Sequence, residues 1–565
     1  MTDHPSRISG FYRELRRRHV MRVAIAYAGV AFVFAQVAQL ILPALNYGAD
    51  AVNWTIRLLV LCFPIAVALA WIYDLTPAGL KRTASIEAEE AARRALDAPL
   101  PVRRRERPSN AIAALPFANL SGDVSLDYFS DGLTEELTTI LSRVPGLRVA
   151  SRTSAFAMKK LALDVSEVGH RLGVRYVVEG GVRVDGARVH LSVRLVDVED
   201  GYTRWSETCE RTLDQIFAIQ QEIARAIADH VAPDTHGVPA LQSVTTRNVG
   251  ALQLYMQGRF HLNRRTERDL HRAVDFFAEA TLLDPEYASA HAGIADAYAI
   301  LLDYGLMAPA RALERSRTAA ERALELDAGA GEAWTSLALV RQFEWRWNDA
   351  ESAFRRSIQL RPDYSIAHQR YALHLAWMGR TDTALEEART AERLDPLSPL
   401  TSATVGWVNY YAQHFDEAIS QLEGTLEMEP GFATARTALA RARLLAGDVT
   451  GSVADHRRAV TDSAEAPSSI ALLSLAHARA GRMDDARTTA ERVAELATQR
   501  YVSPYYLAIP EIGLGNTERA LDQLEAGLAE HAAQMIYLRA EPIVDPLRSH
   551  PRFLELLRRL AFPPA

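Results

Sequence analysis

Cysteine is nearly absent from this chain, which holds only Cys62 and Cys209 in 565 residues. Neither stands in a CxxC string or in the Cys/His company of a metal site, so a disulfide framework and a cysteine-based metal centre are both disfavoured. A charge excess of one sign is missing too. Sixty-three basic residues face 70 acidic ones, a net charge of −7, and no bulk attraction to nucleic acid follows. The strings G-x-x-x-x-G-K-[ST], H-E-x-x-H and G-x-S-x-G do not occur, so the chain offers no recognisable phosphate cradle, zinc-protease helix or nucleophile elbow. The expectation is a protein with no cofactor, no metal and no catalytic residue, acting by binding and not as an enzyme.

What the chain does have is repetition. A small residue returns every 34 positions at Ala350, Ala384, Ala418, Ser452, Ala486 and Ala520. A second series keeps the step (Ala338, Ala372, Gly406, Ala440, Ser474, Ala508), and Pro362, Pro396 and Pro430 mark repeat ends. Antiparallel helices approach closely only where small side chains let their ridges interlock, and proline ends a helix. Trp334-x-x-Leu337-Ala338 followed by Ala350-x-x-x-Phe354-x-x-Ser357 supplies that pattern. It resembles the tetratricopeptide repeat, which implies an α-solenoid whose usual work is to hold another protein. About eight units are expected over 250–540, with 541–565 as a C-terminal cap.

The N-terminal part reads as membrane-associated. Val23–Ala49 carries no charge over 27 positions and Leu58–Tyr73 none over 16, enough for a transmembrane hairpin over 23–75. Residues 1–22 form a basic segment, and 76–109 a linker. Arginines flank the hairpin on both outer sides, among them Arg16, Arg17, Arg18, Arg103, Arg104 and Arg105, while the loop Tyr47–Asn53 has none. That distribution places both ends in the cytoplasm, with a two-pass anchor in a bacterial inner membrane. The same arginines are candidates for contact with anionic lipid.

Residues 110–235 alternate strand and helix signals. Ala111–Phe117 reads as a strand, Tyr128–Arg143 as a helix, and Asp185-Gly186 as a two-residue hairpin turn between Tyr176–Val184 and Ala187–Val196. A long amphipathic helix over Leu213–Val231 closes a small α/β domain with a mixed sheet. Gly180-Gly181 reads as a bulge within a strand. The runs "IAALPFANLSGD", "YFSDGLTEELTTILSRVPGLRVASRTSAF" and "LGVRYVVEGGVRVDGARVHLSVRLVDVEDGYTRWSE" resemble the TolB amino-terminal or FlgO-like domain. This resemblance implies a cell-envelope or signalling-associated bacterial protein without family-level catalytic residues. Such domains often precede tetratricopeptide repeats, sometimes behind a cyclase, kinase or winged-helix module.

Asp123, Asp127 and Asp131 lie four apart, but turn and cap roles at a helix entrance account for them better than a metal does. On the inner face of the solenoid, Phe343, Trp377, Trp407, Tyr410, Tyr411 and Tyr505 form a candidate groove for a protein or peptide partner, with packing between repeats as the competing role. The fold class expected is thus multidomain: two transmembrane helices, a small α/β domain and an α-solenoid. The function expected is a membrane-tethered scaffold. The alternatives are an envelope sensor whose α/β domain binds a ligand, or a regulatory, non-catalytic component of a cyclase or kinase pathway.

Overall fold

The computed structural model describes residues 108–159, 161, 163–232 and 246–564, together with Arg57, Leu61 and two short strands. The chain divides into two units, Met1–Arg104 and Arg105–Ala565. In the first, β1 (Tyr73–Thr76) pairs antiparallel with β2 (Gly79–Arg82), Tyr73 opposite Arg82. The end of the expected second span is therefore extended strand. The rest of the expected hairpin, and Arg16, Arg17, Arg18, Arg103, Arg104 and Arg105, lie outside the described residues. No described helix is long and apolar enough to cross a membrane. The expectation of two transmembrane helices is corrected accordingly, and neither an inner-membrane placement nor a lipid partner is supported.

The second unit begins with an α/β domain. Its strands are β3 (Ala111–Ala114), β4 (Ala118–Asn119), β5 (Arg148–Val149), β6 (Tyr176–Asp185), β7 (Arg188–Asp197) and β8 (Thr203–Thr212). The sheet runs β5-β3-β6-β7-β8, parallel as far as β6 and antiparallel beyond it, with β4 beside β6. The Asp185–Gly186 hairpin forms because Gly186 takes a positive φ of 59° that the tight turn requires. Gly180 and Gly181 pair in register with Val193 and Ser192, so the expected bulge is absent there; the irregularity falls at Leu195/Val196.

Four helices belong to this domain: α1 (Asp127–Ser142), α2 (Arg152–Lys159), α3 (Val165–Leu172) and α4 (Ile216–Val231). Alternation along the strands divides the core. Ile112, Val178, Leu191 and Val193 pack with α1 and α4, while Ala111, Ala113 and Val177 pack with α2 and α3 residues such as Met158 and Val168.

Paired helices follow: α5 (Val249–Arg264), α6 (Glu267–Leu283), α7 (Ala288–Asp303), α8 (Pro309–Leu326), α9 (Gly331–Phe343), α10 (Trp347–Leu360), α11 (Ser365–Trp377), α12 (Thr381–Leu394), α13 (Pro399–Tyr411), α14 (Phe415–Met428), α15 (Ala433–Leu445), α16 (Val449–Asp462), α17 (Pro467–Arg479), α18 (Met483–Gln499), α19 (Pro504–Gly513) and α20 (Thr517–Ala529). Helices α9, α11, α13, α15 and α17 start at a constant step of 34, as do α10, α12, α14, α16, α18 and α20. Ala350, Ala384, Ala418, Ser452, Ala486 and Ala520 are fully buried where the helices meet. A larger residue there would overpack the crossing at a cost of about 1–3 kcal/mol. The turn inside each pair needs a left-handed residue, found at Trp345, Gly379, Gln413, Gly447, Gly481 and Gly515, again 34 apart. Four of these six are glycine, which takes that conformation without a Cβ penalty. The second unit is thus mostly α-helical, with a mixed-sheet subdomain and repeat-like helix packing.

The end of the described chain does not continue this stack. Two 3-10 turns, Ala533–Tyr537 and Pro542–Leu547, and a last helix α21 (Pro551–Leu560) fold back over helices of several pairs. Gln534 Nε2 donates to the carbonyls of Leu302 and Asp303, Tyr410 donates to Glu541, and Trp347 Nε1 donates to the Leu560 carbonyl. Leu538, Ile543, Val544 and Leu547 are buried there, each contributing about 1.5–3 kcal/mol by leaving water.

Candidate functional site

The α/β domain sits against the repeat body at several places, among them Arg361 donating to Ser142 Oγ at 3.0 Å. At another, α1 crosses α5 so closely that a Cβ on Gly132 would lie 2.5 Å from Met256 Cγ. Beside that crossing Glu135 accepts from Arg259 Nε at 2.7 Å and meets Arg152 at 2.8 Å. Burial works to raise the Glu135 pKa, but Arg259 and Arg152 outweigh it and hold the carboxyl below its ordinary value. At its neighbour Glu136 the charges of Arg259 and Arg143 compensate only in part. Burial, and then the charge of Glu135, push it up to about 7. A further contact is a loop between α12 and α13. Asp395 Oδ1 accepts from Ser154 Oγ at 2.5 Å, and Ser154 Oγ accepts from the Leu397 amide at 3.0 Å. Burial raises the Asp395 pKa against hydrogen bonds from Ser151, Ser154 and Thr153 at the start of α2.

Between the entrance of α1 and the outer turns of α5 lies an open cleft of about 330 Å³ lined by Val124, Ser125, Tyr128, Gln257, Phe260 and His261. Its walls are locally well determined. Asp123 caps the 3-10 turn Val124–Leu126 by accepting from the Ser125 amide, and Asn248 caps α5 by accepting from the Ala251 amide. His261 is held by two contacts: its Nδ1 lies 2.7 Å from Asp269 Oδ1, and its ring stacks on Phe276 at 5.4 Å. Burial acts to raise the Asp269 pKa, but hydrogen bonds from Thr266 and His261 prevail and keep it ionised. The bond at Nδ1 fixes the orientation of the imidazole, which also packs edge-on against Phe260. Arg264 lies 4.9 Å from the Phe260 ring centroid. The cleft therefore combines aromatic faces with a hydroxyl, an amide and an oriented imidazole. Such a lining suits a small planar molecule with polar edges, and its volume is at the lower end of the usual ~300–1,000 Å³ range.

The residues expected to line a docking groove are placed differently. Phe343, Trp377, Tyr410, Tyr411 and Tyr505 are buried, and Trp407 is half-buried. The cause is the C-terminal fold-back. Tyr537 packs 5.2 Å from Trp377 and 5.8 Å from Tyr505, while Glu541 takes bonds from Tyr410 and Arg441. Asp123 caps a turn, Asp127 accepts from Asn119 and Asp131 meets Lys159, so the three aspartates serve separate partners. The residues of the cleft were not marked in the sequence, because Tyr128 and His261 are brought together only by the α1–α5 crossing.

Comparison with known proteins adds a family and some relatives. Residues 108–226 match the second domain of HilA/YgeH-like transcriptional regulators. This corrects the resemblance read from the sequence, which had named the TolB amino-terminal or FlgO-like domain and a membrane anchor. A Rhizobium meliloti protein described as "Putative adenylate cyclase 3" is 32% identical over 249 residues, 43% of this chain and 42% of that protein. The transcriptional regulator HilA of Salmonella typhimurium is 22% identical over 260 residues, 45% of this chain and 46% of HilA. The chain thus spans less than half the length of these curated relatives. Among solved structures, the type IV pilus biogenesis factor PilW is 17% identical over 36% of this chain and 93% of its own (TM-score 0.30). Human IFIT1 is 14% identical over 62% of this chain and 80% of its own (TM-score 0.40). These superpositions are too loose to bear on function.

Two functional expectations change with these findings. The firm expectation of a non-enzyme does not stand beside a relative described as a cyclase. The membrane-tethered scaffold gives way to the signalling alternatives, since the relatives are a cyclase-like protein and a transcriptional regulator.

Proposed function

We propose that this chain is the sensing and regulatory part of a signalling protein, in which a small planar ligand binds the cleft between α1 and α5. The single observation behind this reading is that the cleft has one wall from each domain: Val124, Ser125 and Tyr128 from the α/β domain, and Gln257, Phe260 and His261 from the first repeat helix. A ligand there touches both walls at once. If it prefers one α1–α5 geometry, it biases the pair of domains toward that geometry. In this reading residues 110–235 sense, 250–540 respond and pass the change to a partner protein, and 541–565 close the body. The output is control of a cyclase or of transcription, in keeping with the relatives.

The test is thermal denaturation of the purified chain with a panel of nucleosides and aromatic amino acids. At least one should raise the melting temperature, and Tyr128→Ala or Phe260→Ala should abolish the rise. No stabilisation by any compound would count against the cleft. A cyclase assay run with and without the stabilising compound separates regulation from turnover by the chain itself.

A further inference from the structure

The seam where α1 meets the repeat body carries two neighbouring carboxylates in unequal surroundings. Glu135 has two cations of its own, Arg259 from α5 at 2.7 Å and Arg152 from α2 at 2.8 Å. Glu136, one residue on, is half-buried and has no ion pair or hydrogen bond among the described residues. It lies one turn after Gly132 on the same face of α1, beside the closest approach of α1 to Met256. Arg259 and Arg143 attract its charge, whereas Glu135 and Glu332 of α9 repel it. Arg259 is already bonded to Glu135, and it also faces Tyr255, Tyr364 and Asp296 of the repeat body. Glu332 is paired with Arg361, which ties the far end of α1 through Ser142. Burial holds Tyr255 and Tyr364 neutral, and Asp296 accepts from Ser336. No cation in the seam is left for Glu136 alone, so closing the seam over its ionised form is costly.

We propose that Glu136 makes the α1–α5 joint proton-sensitive: the neutral acid lets α1 seat on the repeat body, and ionisation loosens that seat. The sign follows from the two surroundings. Where α1 is lifted away the carboxyl has its ordinary pKa of 4.5, and where α1 is seated burial and Glu135 push it up to about 7. Seating therefore takes up a proton between these values. It is strongest below 4.5 and weakens by up to about ten-fold per pH unit as pH rises to 7. Above 7 both forms are ionised and the dependence ends. The device acts without a ligand in the cleft, so its failure and the failure of ligand sensing are separate results.

Met256, buried beneath Gly132, reports the seat. The test uses the full chain with Cys62→Ser and Cys209→Ser, and follows maleimide labelling of Met256→Cys relative to a free thiol at the same pH. That relative rate should rise about twenty-fold from pH 5.5 to 7.5. Ser474→Cys, a near-isosteric change at a fully buried position of α17, should not follow. Glu136→Gln, neutral at every pH, should hold the Met256→Cys rate at its acidic value. If Met256→Cys fails to fold, Leu252→Cys, one turn earlier on α5 and also buried, takes its place. A rate flat with pH overturns the proposal, and so does a rise that survives Glu136→Gln or one that Ser474→Cys shares.

Discussion

Trp377, Tyr410 and Tyr505 inside the repeat body, and Tyr128, Phe260 and His261 at its junction with the sheet domain, are similar side chains in opposite surroundings. The first group is buried beneath Tyr537 and Glu541 of the chain's own end. The second stays half-buried beside an open cleft. The difference teaches that an aromatic-rich helix face marks a surface needing a cover and says nothing of where the cover comes from. Here one is supplied in cis and the other is left to a ligand.

The comparison can be broken most forcefully at Glu541, whose fully buried carboxylate pairs with buried Arg441. Glu541→Ala leaves the guanidinium without a counter-charge, and chemical denaturation should show a loss of about 3–5 kcal/mol. A loss of only a few tenths would mean that the fold-back does not cover the groove.

Acid should act next, through His374 and His456 in the repeat body and in the opposite sense through Glu136 at the junction. Free histidine titrates near 6.5, whereas burial pushes His374 down to about 4 and His456 to about 3. Both are neutral in the fold. As pH drops below 6.5 the unfolded chain takes up protons first, so stability is lost, by roughly 1.4 kcal/mol per pH unit for each ring until its folded pKa is reached. In a Glu136→Gln background, which removes the opposing carboxyl, melting temperatures should fall from pH 6.5 to 5, and His456→Gln should flatten the slope.

Gly132→Ala sharpens the comparison at the junction. The added methyl meets the Met256 side chain and should cost about 1–3 kcal/mol, with a matching fall in ligand affinity measured by calorimetry. The smallest effect on stability is expected from Phe260→Ala, about 1 kcal/mol or less at a half-exposed position, although ligand stabilisation should vanish.

Much of the architecture was legible where it is local and periodic. The 34-residue step of Ala350, Ala384 and Ala418 follows from helix crossings, and the Asp185-Gly186 turn from backbone sterics. The left-handed positions repeat as faithfully, but Trp345 and Gln413 hide two of them behind side chains that normally avoid that conformation. Contacts across long separations left no such trace. Tyr410 with Glu541 and Ser154 with Asp395 join residues more than 100 apart, Tyr128 and His261 line one cleft from as far, and no spacing rule connects them. Apolar length misled at the N-terminal end, where Tyr73–Thr76 is a strand.

The carboxylate of Asp395 at the head of α2 has a consequence for how this protein is made. Eight residues are too few for a helix to persist alone in water. The side chain that completes the polar contacts of Ser154 belongs to a residue translated 241 positions later. On the ribosome, the sheet domain would emerge with that corner unfinished and settle it only when the loop after α12 arrives. A nascent chain halted before Asp395 should therefore expose residues 152–159 to proteases that the finished protein resists.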